Sequence, residues 1–230
     1  MAGGTLYVIA TPIGNLGDVT VRALDTLRAL DLLLAEDTRV TRRLLDRYEI
    51  KVPMESYREE VHARKIRGVI DALAAGKSVG IVSDAGTPGV SDPGCHLVRD
   101  VVAALPEVTI TPIPGACAAV SAFSVAGFQA DEFTFLGFPP HKKGRAGFFT
   151  QAMSQPRVVV FYESTHRISK ALESLASIDP ERQLLVCREL TKIHETLYRG
   201  TASAILAQLQ TTSSRGEFVV VVRKAEKLKS

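Results

Sequence analysis

The chain has 230 residues, of which 46% are apolar, and a formal net charge of +3. That is enough to bury a core in one large domain or two of roughly 100 residues each, and no window approaches the roughly 18 uninterrupted apolar residues of a membrane span. Three cysteines, Cys95, Cys117 and Cys187, lie far apart without CxxC spacing, which argues against a disulfide framework or a zinc site.

The N-terminus MAGGTLYVIATPIG lacks the charged start and cleavage site of a secretory signal, so the reading is a soluble cytoplasmic protein. Charge is unevenly spread. Residues 1–115 hold 13 basic against 15 acidic side chains, and residues 116–230 hold 15 against 10. A basic second half is compatible with an anionic macromolecule but also with ordinary enzymes.

In chain order, TLYVIA reads as a strand ending in the turn-like TPIGNLGD. Asp18 or Thr20 can cap a helix through VRALDTLRAL, with Val21, Leu24, Leu27 and Leu30 on its apolar side. DLLLAED is a strand, TRVTRRLLDRY a helix, and HARKIRGVIDALAAGK a helix stopped near Gly76. SVGIVS is a strand, GCHLVRDVVAAL a helix, and VTITPIPG a strand running into a Pro-Gly turn. GACAAVSAFSVAG is a helix of small residues, FTFLGF a strand, and PPHKKGRAG an exposed loop. RVVVFYES, QLLVCREL and RGEFVVVVRK are strands separated by helices at HRISKALESLAS and TASAILAQLQ. The alternation predicts an α/β fold of two sandwich domains, residues 1–113 with a largely parallel sheet and 114–230 with an antiparallel or mixed one. A cleft between the two halves is the default ligand site.

Two phosphate-loop patterns fail. Gly76-Lys77-Ser78 has Asp71 where a P-loop needs glycine and precedes a strand, and no GxGxxG follows the first strand. The loop SDAGTPGVSDPG, after SVGIVS, occupies the carboxyl end of a strand, where open α/β sheets bind ligands. Gly86 and Gly89 allow close backbone approach. Its carboxylates would repel a phosphate and suit ribose hydroxyls, an ammonium or a sulfonium. Asp92, followed by Pro93, reads as a turn or helix cap; Asp84, among small residues, reads as functional, with turn capping as the alternative. His62, His96, His141, His166 and His194 show no paired metal-ligand spacing, so no metal is expected, and only His166 sits near a candidate pocket.

Seven segments occur in order: TPIGNLGD at 11–18, AEDTR at 35–39, SDAGTPGVSDPG at 83–94, PIPGACAAVSA at 112–122, FLGFPP at 135–140, FYEST at 161–165 and CRELTKIHE at 187–195. Together they resemble the ribosomal RNA small subunit methyltransferase I family of the tetrapyrrole methylase superfamily, the class III S-adenosylmethionine-dependent methyltransferases. The likeness runs from about Thr5 to Val222. It implies that S-adenosylmethionine binds in a cleft between two α/β domains, against Pro12, Asp84, Gly86, Thr87, Ala116, Cys117, Tyr162 and Leu190, with Glu163 beside Tyr162. It also implies 2′-O-methylation of a cytidine in 16S RNA of the small ribosomal subunit, and a homodimer. The 2′-hydroxyl excludes DNA.

That chemistry needs an in-line methyl transfer and a proton acceptor. Glu189 is the first candidate and Glu163 the second, with Lys192 if burial lowers its pKa; ion pairs with Arg188, Arg167 or Lys192 are the alternative for both glutamates. Arg39, Arg43 and Arg47 share a helix face with Arg42 beside them, partly offset by Asp46, and read either as RNA contacts or as a solvated face. Lys142, Lys143 and Arg145 in the HKKGR loop suit backbone phosphates. Two rival readings are a same-fold methyltransferase for a tetrapyrrole or other small molecule, and a non-catalytic RNA-binding assembly factor.

Overall fold

The computed structural model describes residues 3–90 and 94–225. The chain divides into two compact units, Met1–Cys117 and Ala118–Ser230.

The first unit is a five-stranded parallel sheet. Its elements in chain order are β1 (Thr5–Ile9), α1 (Val21–Ala29), β2 (Leu32–Ala35), α2 (Thr38–Arg47), β3 (Met54–Ser56), α3 (His62–Ala74), β4 (Ser78–Val82), α4 (Cys95–Ala104) and β5 (Thr109–Ile113). The strands lie in the order β3-β2-β4-β1-β5. Apolar spacing decides which helix covers which face. Ala23 and Leu27 of α1, and Leu44 and Leu45 of α2, pack with Ile9, Leu33 and Ala35 on one side. Val69 and Leu73 of α3, with Leu97 and Val101 of α4, pack with Leu6, Leu34, Val79 and Ile81 on the other. Both faces are covered, as a parallel sheet requires. The hydroxyl of Thr20, not Asp18, caps α1 by accepting from the Ala23 N–H, and Asp37 caps α2 from the Arg39 N–H.

The second unit runs α5 (Ala118–Ser124), β6 (Phe133–Phe135), α6 (Arg145–Ser154), β7 (Val158–Ser164), α7 (Ile168–Ile178), β8 (Gln183–Arg188), β9 (Thr196–Thr201), α8 (Ala202–Thr211) and β10 (Glu217–Val222). Its sheet order is β6-β7-β10-β8-β9. It is mixed: β6 is parallel to β7, while β10 runs antiparallel to β7 and β8, and β8 to β9. Phe161, Val186, Phe218 and Val220 face Phe149 of α6, Leu172 of α7 and Ile205 of α8 in one core. Val160, Cys187, Val219 and Val221 on the opposite face are buried too.

Three elements depart from the sequence reading; one is β9, not set apart there from the QLLVCREL strand. The segment read as a loop through PPHKKGRAG ends at Gly144, and α6 begins at Arg145 with Phe149, Ala152 and Met153 buried at helical spacing. Gly144 and Gly147 disguised it, since glycines at both ends of one turn read as breakers. β3, only three residues long behind Pro53, has too little sequence for a period to show. Asp92 and Pro93, read as helix cap and first turn, lie outside the described residues; α4 as described starts at Cys95.

Close approach fixes the start of β1. The Gly4 N–H donates to the Leu73 carbonyl at 2.9 Å, and a Cβ on Gly4 would stand 2.3 Å from the Lys77 carbonyl oxygen and 2.6 Å from that of Leu73. These are backbone atoms, so repacking a side chain cannot relieve the clash. Gly4→Ala is therefore expected to cost about 1–3 kcal/mol, read as a lower urea midpoint at unchanged slope.

Candidate functional site

Because every strand of the first sheet points the same way, the segments after β1, β2, β4 and β5 gather at its carboxyl edge. They are bonded to one another. Thr11 and Gly86 exchange both backbone bonds, Thr11 N–H to Gly86 O at 2.8 Å and Gly86 N–H to Thr11 O at 3.1 Å. The buried Thr11 hydroxyl donates to the Ser83 carbonyl at 3.2 Å. The Thr87 hydroxyl donates to the Ala116 carbonyl at 3.2 Å, tying the loop to the segment after β5. Gly86 adopts φ +84°, a left-handed conformation that costs glycine nothing, and a Cβ there would come within 3.4 Å of Ile13. Pro12 is buried under this junction, while Ala116 and Cys117 are half-buried at its rim.

Asp84 emerges exposed from the loop. Its Oδ1 accepts the Asp37 N–H at 2.9 Å, and its own N–H donates to Oε2 of Glu36 at 3.3 Å. Its Oδ2 takes no hydrogen bond from the described residues. Burial pushes the Glu36 carboxyl above its ordinary pKa; the Asp84 N–H opposes that shift, and the Asp84 charge adds to it. Hydrogen bonds from the Arg39 guanidinium and N–H hold Asp37 well below the usual carboxylate range. Three carboxylates thus meet at the ends of β2 and β4, one neutralised by arginine and one offering an open oxygen. An open carboxylate among Ala85, Gly86 and Ala116 has the chemistry to hold a cation or sugar hydroxyls, and none to hold a phosphate. Glu36 and Thr11 were not singled out in the sequence, although both stand in or beside quoted segments, AEDTR and TPIGNLGD.

In the second unit Tyr162 is half-buried, with its hydroxyl accepting the Ala119 N–H at 3.2 Å and its ring edge-on to Phe135 and Phe138. Leu190 is half-buried in the turn after β8, between Glu189 and Thr191, both left-handed at φ 52° and 64°.

The expected bases are not free. The Glu163 side chain is 0% exposed and sits between two guanidiniums, Arg145 Nη2 at 2.5 Å and Arg167 Nε at 3.2 Å. Such a carboxylate neutralises buried charge and cannot reach a substrate, so its catalytic assignment is withdrawn. Arg145 is corrected with it: it opens α6 instead of the loop, and its guanidinium also lies over the Phe149 ring at 5.0 Å. Glu189 pairs with Lys192 at 3.0 Å and accepts the Glu217 N–H at 2.8 Å, both through Oε1. Burial alone would raise its pKa, but the Glu217 N–H and Lys192 outweigh burial and lower it. Lys192 is likewise raised: desolvation opposes the charge, and bonds to Glu217 and Glu189 prevail. A charged lysine is no base, so that role of Lys192 is withdrawn too.

The remaining cations sort by partner. Arg39 is committed to Asp37 at 2.6 Å. Arg42, Arg43 and Arg47 are exposed along α2, and Lys142 and Lys143 in the turn before α6. His166 is exposed. His62 bridges Tyr57 (2.5 Å) and Asp100 (2.7 Å), a structural clasp of α3 on α4 unread in the sequence because Asp100 lies 38 residues away. Burial pushes the Cys187 thiol up to about 12, so it is inert.

A family model for Tetrapyrrole (Corrin/Porphyrin) Methylases matches residues 5–206. The chain belongs to this family. Among its methylase relatives, a protein of Thermotoga maritima named "Ribosomal RNA small subunit methyltransferase I" is 41% identical over 223 residues, covering 97% of this chain and 100% of that one. One of the same name from Neisseria meningitidis serogroup B is 43% identical over 229 residues, covering 98% and 78%. The fold matches solved structures of diphthine synthase (TM-score 0.71, 15% identity, 97% and 92% covered) and of the methyltransferase CobJ (0.68, 20%, 98% and 97%). These likenesses show the two-domain α/β fold of tetrapyrrole methylases. The chain's cofactor is S-adenosylmethionine, the methyl donor of this family. The donor set fits it: a carboxylate with an open oxygen and small neighbours at Ala85, Gly86 and Ala116.

Removing the Glu163 charge leaves two half-buried guanidiniums without their buried anion. Glu163→Gln is expected to cost about 3 kcal/mol or more in urea unfolding. Glu36 gives a pH signature. Its folded pKa lies above the unfolded value of 4.5, so the ionised form is a liability to the fold at neutral pH. Glu36→Gln should raise stability near pH 7, and the gain should vanish below about pH 4, where the carboxyl is protonated in both states.

Proposed function

We propose that this chain methylates the RNA of the small ribosomal subunit, and specifically the ribose 2′-hydroxyl of a cytidine in 16S RNA. The observation that carries the reading is full-length similarity, at 41% identity, to a protein named for that ribosomal RNA activity, together with a carboxylate-bearing loop at the family's donor motif. The ribose position follows from the resemblance read in the sequence.

S-adenosylmethionine, when bound, supplies a methyl group activated by its sulfonium charge. In the first unit, Asp84 Oδ2 would accept a hydrogen bond from the donor or offset its cation. Gly86 would let backbone close upon it above the buried Pro12, and the Thr87 hydroxyl holds the Ala116–Cys117 segment after β5 as a wall. In the second unit, Tyr162 and Leu190 are the proposed contacts. Of the three candidate bases, Glu189 alone keeps an accessible carboxylate oxygen free of hydrogen bonds, Oε2, and proton acceptance is assigned there. Its lowered pKa makes it a weak base, so orientation of the hydroxyl carries more of the rate.

For RNA, the exposed Lys142, Lys143 and Arg43 face solvent and suit phosphates. Arg39 and Arg145 contribute charge while held by Asp37 and Glu163. A homodimer in the cytoplasm belongs to the same reading; Phe138 and Ile193, 52% and 94% exposed, are apolar surface that a partner copy would cover.

The test is methylation of unmodified small subunits with labelled donor, followed by mapping. The expected result is label on the 2′-oxygen of one cytidine in 16S RNA; label on a base, or on no RNA, contradicts the proposal.

A further inference from the structure

Thr11 occupies a site whose packing volume alone does not call for a hydroxyl. It is 6% exposed in a junction where valine would fill the same volume without a polar group to bury. Its contacts point elsewhere. The hydroxyl donates to Ser83 O at 3.2 Å, with Gly86 O at 3.5 Å as its alternative acceptor, and its backbone exchanges two bonds with Gly86. One residue therefore grips the chain at Ser83 and again at Gly86. Between those grips lie only Asp84 and Ala85, both exposed. With Oδ1 already taken by the Asp37 N–H, the direction of Oδ2 is set by where the backbone of residue 84 is held.

We propose that Thr11 is a positioning residue for the methyl donor: through Ser83 and Gly86 it fixes the open carboxylate oxygen of Asp84. This rests on the donor role given to Asp84 above. The hydroxyl touches no ligand and acts only by holding two carbonyls. Without it the Ser83 carbonyl loses this donor in a buried setting, and the start of the loop is held to β1 only through the Gly86 bridge, with the Asp84 bonds to Asp37 and Glu36 left to take up the slack.

Thr11→Val keeps shape and removes the donor; Thr11→Ser keeps the donor. Calorimetry with S-adenosylmethionine and its demethylated product is expected to give a donor Kd raised about tenfold for Thr11→Val and within threefold of wild type for Thr11→Ser. The thermal midpoint of the valine chain should stay within a few degrees and its KM for small subunits should not change. In an Asp84→Asn background, Thr11→Val should weaken donor binding by less than threefold, because its effect runs through that carboxylate. Should the valine chain not fold, Thr11→Ala, which also lacks the donor, takes its place under the same expectations. Donor affinity unchanged by removal of the hydroxyl, or equal losses with and without Asp84, overturns the inference while leaving the cofactor reading intact. A wild-type chain that binds no donor overturns that reading and this inference with it.

Discussion

The constraint on which the rest depends is the direction of the first sheet. Five parallel strands deliver the ends of β1, β2, β4 and β5 to one edge, and the Thr11–Gly86 bridge makes their loops a single bonded rim. Neither half of that statement suffices alone. Parallel order brings TPIGN, AED, SDAGTPG and PGAC together; the bridge, the Thr87–Ala116 bond and the Asp37–Asp84 bond decide how they meet. A loop rich in glycine and proline would otherwise be the least ordered part of the unit.

Carboxylates serve opposite purposes in the two units. In the first, Asp84 is left open on one side and Glu36 is pressed against it by burial, an arrangement that costs stability and leaves unspent charge at the rim. In the second, Glu163 is consumed by two arginines, while Glu189 commits only Oε1, to Lys192 and the Glu217 N–H. All four are carboxylates at or near strand ends. Only the partners distinguish an acid available to a ligand from an acid that holds the fold.

That difference also marks what could be read from the chain and what could not. Strand and helix alternation is legible because buried runs such as SVGIV and FVVVV and the spacing of Leu44 and Leu45 depend on neighbours close in sequence. The Asp84 loop is legible for a similar reason: small residues flank a carboxylate directly after a buried strand. The pairing of Glu163 with Arg167, four residues on, lies within reach of local reasoning. Arg145 is 18 residues away and Thr11 is 72 residues from Ser83, and no local signal announces either contact. The helix α6 was hidden for another reason, since its apolar positions begin inside a glycine-bearing stretch.

The most direct test of the account is a crystal structure with S-adenosylhomocysteine bound. The account predicts a ribose hydroxyl or the amino group of that molecule within hydrogen-bond distance of Asp84 Oδ2, with Oδ1 still on the Asp37 N–H. A product molecule seated away from the Ser83–Thr87 loop, with Asp84 turned to solvent, would contradict it.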